Sequence, residues 1–188
     1  MIPTSPTALF TSWCTPLDKK KVRLPLGEVT LFGVLGAIMF ALQVAMSGLP
    51  NIEPVSLLVM VYAVVFGRKC LYPIYVFVVM EILFFGIQMW NINYLYVWAI
   101  LALAAWMCRD MKHPLAWAIL GAVFGLLFGA LCAPVYLFSG GLGYAVSWWI
   151  SGIPYDLAHC GGNFVMALLL FVPLRKLLTN LYARMGNK

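Results

Sequence analysis

Charge is what this chain has least of: charged residues occupy 10% of its 188 positions, as six acids and twelve basic residues, with two histidines besides. A soluble domain carries roughly 25% charge and about 45–50% apolar residues. Here hydrophobic residues reach 64% and mean hydropathy is +0.96. That balance excludes a water-soluble fold, and spans of about 20 residues each leave no length for a soluble catalytic domain. A G-x-x-x-x-G-K-[ST] phosphate loop is missing, so no ATPase of that type resides in the chain. The cysteines, Cys14, Cys70, Cys108, Cys132 and Cys160, are odd in number and form no C-x-x-C pair. Neither a disulfide framework nor a zinc site is expected, and the thiols read as free. The first basic residue is Lys19, behind a short Pro- and Thr-punctuated stretch. A secretory signal has the opposite order, so residues 1–28 are expected to form a short cytoplasmic tail.

What is present is a succession of apolar segments, at about 29–49, 54–67, 71–89, 93–108, 115–138 and 143–178. The breaks are chemically legible: Leu49-Pro50-Asn51-Ile52-Glu53-Pro54, Gly67-Arg68-Lys69, Asn91-Ile92-Asn93, Arg109 to Pro114, and Ser139-Gly140-Gly141. Proline suits the first turn of a helix, so Pro54 opens the second segment. That segment is short and is expected to tilt or be shielded by its neighbours. The last is too long for one span, and its Trp148–Pro154 stretch is expected at the membrane surface, with the sixth helix beginning near Pro154. The expected fold is an all-α integral membrane protein: a six-transmembrane-helix bundle over 29–180 with a C-terminal tail at 181–188. With six crossings, Lys19, Lys20, Lys21, Arg23, Arg68, Lys69, Arg109, Lys112, Arg175, Lys176, Arg184 and Lys188 all fall on one side. The positive-inside rule makes that side cytoplasmic, with both termini there. Topology accounts for the net charge of +6, and nucleic acid is not needed as a partner.

The connections on the other side, about 49–53, 89–93 and 139–153, contain no Lys or Arg. They and the adjoining helix ends hold Asn51, Glu53, Gln88, Trp90, Tyr94, Trp98, Trp148 and Tyr155. Aromatics there could form an interfacial belt or, beside amides, a binding surface. Glu81 lies mid-segment, where a carboxylate costs about 2.5–3.5 kcal/mol. It is expected to face a pocket or a partner helix, or to be protonated, and Gln88 follows one heptad later. Asp156, His159 and Asn163, at i, i+3 and i+7, share one helix face. They read as a pocket wall or as helix–helix hydrogen bonding, with Asp156 also placed to cap. A metal at His159 is not expected, since only Asp156 is a nearby ligand in sequence.

Two stripes of small residues recur every fourth position: Gly33, Ala37, Ala41 and Ala45, then Gly121, Gly125, Gly129 and Ala133. In lipid such faces are where helices approach closely. Either the stripes pack on each other, or one is internal and the other faces a partner.

Taken with Leu49-Pro50-Asn51-Ile52-Glu53-Pro54-Val55-Ser56 and with Gly152-Ile153-Pro154-Tyr155-Asp156-Leu157-Ala158-His159 ahead of Gly162-Asn163-Phe164, the Ala37-xxx-Ala41-xxx-Ala45 ladder resembles a family. The chain looks like a substrate-binding S component of an energy-coupling factor (ECF) vitamin transporter, over about 29–178. The resemblance implies a six-helix prokaryotic cell-membrane protein without enzymatic activity or cofactor. It would capture a vitamin or related micronutrient at the outer face and topple in the membrane to deliver it inward. Its partners would be the lipid bilayer, a transmembrane coupling subunit docking on Gly33, Ala37, Ala41 and Ala45, and two cytoplasmic ATPase subunits. The turn after helix one and the helix-six pattern are most similar to the cobalamin-type members. A cationic vitamin such as thiamine is the competing substrate, because Glu53, Glu81 and Asp156 have no basic counter-charge and aromatic rings can hold a cation.

Other classes remain weighable. A stand-alone proton-coupled carrier could use Glu81 and His159 as relays, and a purely structural subunit would need neither. A rhomboid-like protease needs G-x-S-G, but Ser151-Gly152 follows Trp149-Ile150, so the first glycine is missing.

Overall fold

The computed structural model describes residues 24–49 and 52–186. Asn51, Cys14 and the basic residues at 19–21 and 23 therefore lie outside the described residues. Within them the chain is helical, with no strand. Helix α1 is Leu26–Ala45, α2 is Val55–Phe66, α3 is Leu71–Phe85 and α4 is Met89–Met107, with a short 3-10 turn at Gly67–Cys70 joining α2 to α3. The remainder, Pro114–Gly186, is 73 helical residues interrupted at Gly141, where φ is 77° and ψ is 179°.

A straight 73-residue helix would be about 110 Å long, so the contacts across this stretch are decisive. Asn163 meets Gly121, Asp156 meets Gly129, and Trp148 stacks on Tyr136. These pairs are all centred near residue 142, which makes the stretch an antiparallel hairpin folded at Gly141. Its arms are α5 (114–140) and α6 (142–186). A positive φ with extended ψ is open to glycine at little cost, so Gly141 reverses the chain in a single residue. The surface segment expected over 139–153 is therefore mostly helix, α6 starts a dozen residues before Pro154, and it runs on to Gly186 through the expected tail.

Cross-contacts also fix the direction of the other helices. Tyr62 donates to the Leu35 carbonyl, and Gly36 abuts Pro73 and Val76. Residues 62 and 76 thus sit level with the middle of α1, and α2 and α3 run in opposite directions from the Gly67–Cys70 turn. Helix α1 buries Phe32, Leu35, Gly36 and Met39, the i, i+3, i+4, i+7 stripe of one face. A β-carbon at Gly36 would stand 2.6 Å from Val76 and 2.8 Å from the Pro73 carbonyl, so glycine sets the α1–α3 spacing. Helix α2 is buried without a break from Val55 to Ala63. Its 12 residues reach only about 18 Å, short of the roughly 30 Å hydrocarbon core. Its neighbours shield it, and this central position explains why it is apolar all round.

One end of the bundle is held by charge. Lys69 bonds both Glu28 carboxylate oxygens at 2.7 Å, and the Tyr182 hydroxyl donates to Glu28 at 2.6 Å. This brings the start of α1, the α2–α3 turn and the end of α6 together. By length and apolarity, the helical stretches Leu26–Ala45, Val55–Phe85 and Pro114–Met185 have the makings of membrane spans, the second and third folded back on themselves at Gly67–Cys70 and at Gly141. The protein is thus an all-helical chain with membrane-spanning character.

Candidate functional site

At the opposite end, side chains from all six helices converge beneath the connection that follows α1, polar ones from every helix but α5. Helix α1 contributes Gln43, α2 its first-turn Ser56, α3 Glu81, α4 Tyr94 and Trp98, α5 Phe124 and Phe128, and α6 Asp156, His159 and Asn163. Ser56, Glu81, Asp156, His159 and Asn163 are each no more than 3% exposed, which is costly for such groups unless they are paired. The i, i+3, i+7 spacing does turn the α6 trio to one buried face. Each member meets a different partner. Asp156 accepts the Gly129 N–H at 3.0 Å, Asn163 donates to the Gly121 carbonyl at 3.1 Å, and His159 Nε2 lies 3.1 Å from the Ser56 hydroxyl.

The glycines of α5 make this possible. A β-carbon at Gly125 would fall 2.7–2.8 Å from the His159 and Cys160 backbone, and one at Gly129 would collide with the Asp156 carboxylate. The stripe of Gly121, Gly125 and Gly129 is consumed inside the chain, seating α6 closely enough for its polar face to reach α2 and α5. The α1 stripe behaves differently. A β-carbon at Gly33 would meet nothing within 4 Å, and Ala41 and Ala45 are exposed.

An aromatic wall lines the polar groups. Phe77 stacks on Tyr94 with ring centroids 5.9 Å apart, Tyr94 meets Trp98 at 5.3 Å, Trp98 meets Phe128 at 5.7 Å, and Phe128 meets His159 at 4.9 Å. Phe77 lies one turn before Glu81 on the buried face of α3. Above them a cleft of about 240 Å³ is bounded by Gln43, Ser47, Glu53 and Phe85, among others. Half-buried Glu53 sits in the connection between α1 and α2. Burial and the nearby Glu81 carboxyl push its carboxyl up to about 7 from the ordinary 4.5.

Several buried polar atoms have no hydrogen-bond partner within the described chain: Gln43 Oε1, Glu81 Oε1, Trp98 Nε1, Asp156 Oδ2, His159 Nδ1 and Asn163 Oδ1. Buried groups of this kind are rare and each needs a reason. Their number in one region, with carboxylates and aromatics but no cation among the described residues, describes a place able to exchange hydrogen bonds with a small molecule, mostly as acceptor and at Trp98 as donor. Among the described residues no three of His, Cys, Asp and Glu group as a metal site.

The structure does not bring every sequence candidate here. Helix α3 ends at Phe85, and Gly86, at φ 78°, turns the chain, so Gln88 does not continue the Glu81 face. It is exposed and caps α4, where its backbone N–H bonds Asn91 at 2.6 Å. Trp90 and Tyr155 are exposed, and Trp148 braces the α5–α6 hairpin by stacking on Tyr136 at 3.9 Å. Sequence reasoning missed Gln43, Ser56, Phe77, Phe124 and Phe128 as site neighbours. Ser56 and Gln43 had a signal, since both are polar residues within or beside long apolar runs. The phenylalanines had none, being ordinary in any apolar helix.

Comparison with family models, with curated proteins and with solved structures finds no match.

Proposed function

We propose that this chain is the substrate-binding membrane subunit of an ECF-type ATP-driven importer. In this reading α1 to α6 each cross the bilayer, both termini are cytoplasmic, and the polar site opens outward. A vitamin or related micronutrient binds there. A coupling subunit docks on Gly33, Ala37, Ala41 and Ala45, and two cytoplasmic ATPases supply the energy for delivery. The observation that carries the reading is the cluster of buried, unpartnered polar atoms from α1, α3, α4 and α6, at the end of the bundle away from the Glu28–Lys69 ion pair. The free α1 stripe, beside an α5 stripe already filled by α6, supports an external partner on α1.

Two substrate classes divide the reading. The motif resemblance favours a cobalamin-like ligand. The cleft supports a smaller, cationic one: about 240 Å³ is below the roughly 300–1,000 Å³ usual for drug-sized ligands, and a corrinoid is far larger. Carboxylates set against aromatic faces also suit a cation.

Co-expression with ECF coupling and ATPase subunits tests the proposal. A stable complex is expected, weakened by Ala41→Trp while the purified variant still binds its vitamin. ATP-independent uptake by the purified chain alone would favour the proton-coupled carrier instead.

A further inference from the structure

The basic residues at the Glu28 end are not all engaged in the same way. Lys69 is spent on Glu28, and the Arg109 guanidinium lies 4.4 Å from the Trp106 ring centre. Lys112, Arg175 and Lys176 differ. They line one cavity of about 630 Å³ between the start of α5 and the end of α6, and among the described residues no carboxylate lines it with them. Its floor is apolar and fixed: buried Trp117 and Phe171 stack with centroids 4.0 Å apart, and the Trp117 indole N–H is already bonded to the Met111 carbonyl. Asn180 supplies a neutral polar group at the rim. On the same two helix ends Leu115, Ile119, Leu177 and Leu181 stand exposed.

Three cations around one cavity repel each other unless an anion sits among them. Simple snorkelling to water does not need a shared cavity or a stacked aromatic floor. The exposed leucines and isoleucine beside it are suited to acyl chains rather than to water. We propose that this cleft holds the phosphate-bearing headgroup of an anionic phospholipid, with Lys112, Arg175 and Lys176 around the phosphate and the lipid tails along the flanking apolar residues. The site is separate from the polar cluster, and its test does not depend on what binds there.

The test measures thermal unfolding of the full chain in neutral detergent, with phosphatidylglycerol or phosphatidylcholine added, and counts retained lipid by native mass spectrometry. Phosphatidylglycerol should stabilise the protein more than phosphatidylcholine. In Lys112→Gln/Arg175→Gln/Lys176→Gln that preference should disappear, and single changes should each cost about fivefold in lipid affinity. Arg184→Gln makes the charge change of one single variant outside the cavity and should keep both the preference and the affinity that the single variants lose. Unfolding in neutral detergent alone reports whether each variant folds, and the single variants stand in if the triple one does not. Equal loss in Arg184→Gln would overturn the site in favour of a diffuse surface field. A preference undiminished in the triple variant would also overturn it. So would equal protection by inorganic phosphate, which would assign the cavity to a soluble anion.

Discussion

Adding one methyl group at Gly125 should separate two helices. The β-carbon of Gly125→Ala would stand 2.7 Å from the His159 carbonyl carbon and 2.8 Å from the Cys160 nitrogen. Ordinary carbon contacts lie at about 3.5–4.0 Å, so α5 and α6 must move apart by about 1 Å. The obstructing atoms are backbone, and no side chain can swing away. Overpacking of this kind costs about 1–3 kcal/mol, partly offset by about 0.5–1 kcal/mol because alanine is the better helix former. A net loss of about 1 kcal/mol lowers the melting temperature by roughly 2–4 °C at this size. The same movement draws His159 from its 3.1 Å contact with Ser56, so ligand binding should weaken too. Gly33→Ala is the matched control: its β-carbon meets nothing within 4 Å, and the variant should be unchanged or slightly more stable. Thermal unfolding of both variants in detergent, followed by tryptophan fluorescence, makes the comparison. Equal tolerance at both positions would refute the claim that the α5 stripe is internal and the α1 stripe free.

Four further outcomes are expected. Ser56→Ala leaves His159 Nε2 without its buried partner and should destabilise the protein by about 1–3 kcal/mol, whereas Ser56→Ala/His159→Leu should recover much of that loss and bind no ligand. Because the Glu53 carboxyl titrates near 7, a cationic ligand must displace its proton at lower pH. Affinity measured by calorimetry should fall as pH drops below about 7, and Glu53→Gln should flatten that dependence. The same raised value means the folded chain keeps a proton that the unfolded chain loses near 4.5. That contribution to stability is complete below 4.5 and is lost as pH rises through about 7, which a melting series across this range reads directly. Finally, Ala41→Trp, on an exposed face of α1, should leave the melting temperature of the isolated chain nearly unchanged while weakening capture by the coupling subunit.

Much of the architecture was legible because lipid leaves few solutions: long apolar runs become helices, and the punctuation between them marks their ends. The breaks at Gly67 and Arg109–Pro114 were found this way. The hairpin at Gly141 was placed correctly but drawn too long. Glycine lets the chain reverse in one residue, and nothing in Trp148–Pro154 announces that this stretch is helical. The buried α6 trio followed from spacing alone, since i, i+3 and i+7 share a face whatever lies opposite. What lay opposite was not legible. Pairing Ser56 with His159 needs two helices brought together over a hundred positions apart, and Gln88 leaves the Glu81 face because Gly86 breaks the heptad count. The two small-residue stripes look alike in sequence, and only the packing of α6 against Gly121, Gly125 and Gly129 separates them.

The central claim is that the unpartnered polar atoms of α1, α3, α4 and α6 bind a small micronutrient at the outer end of the bundle. Thermal unfolding of the purified chain against a panel of vitamins, corrinoids and cationic vitamins included, tests it most directly. One compound should raise the melting temperature in a concentration-dependent way, and Glu81→Gln and His159→Ala should each abolish the shift. A stabilising vitamin whose effect survives both substitutions, or a panel without any effect on a folded, monodisperse chain, would contradict it.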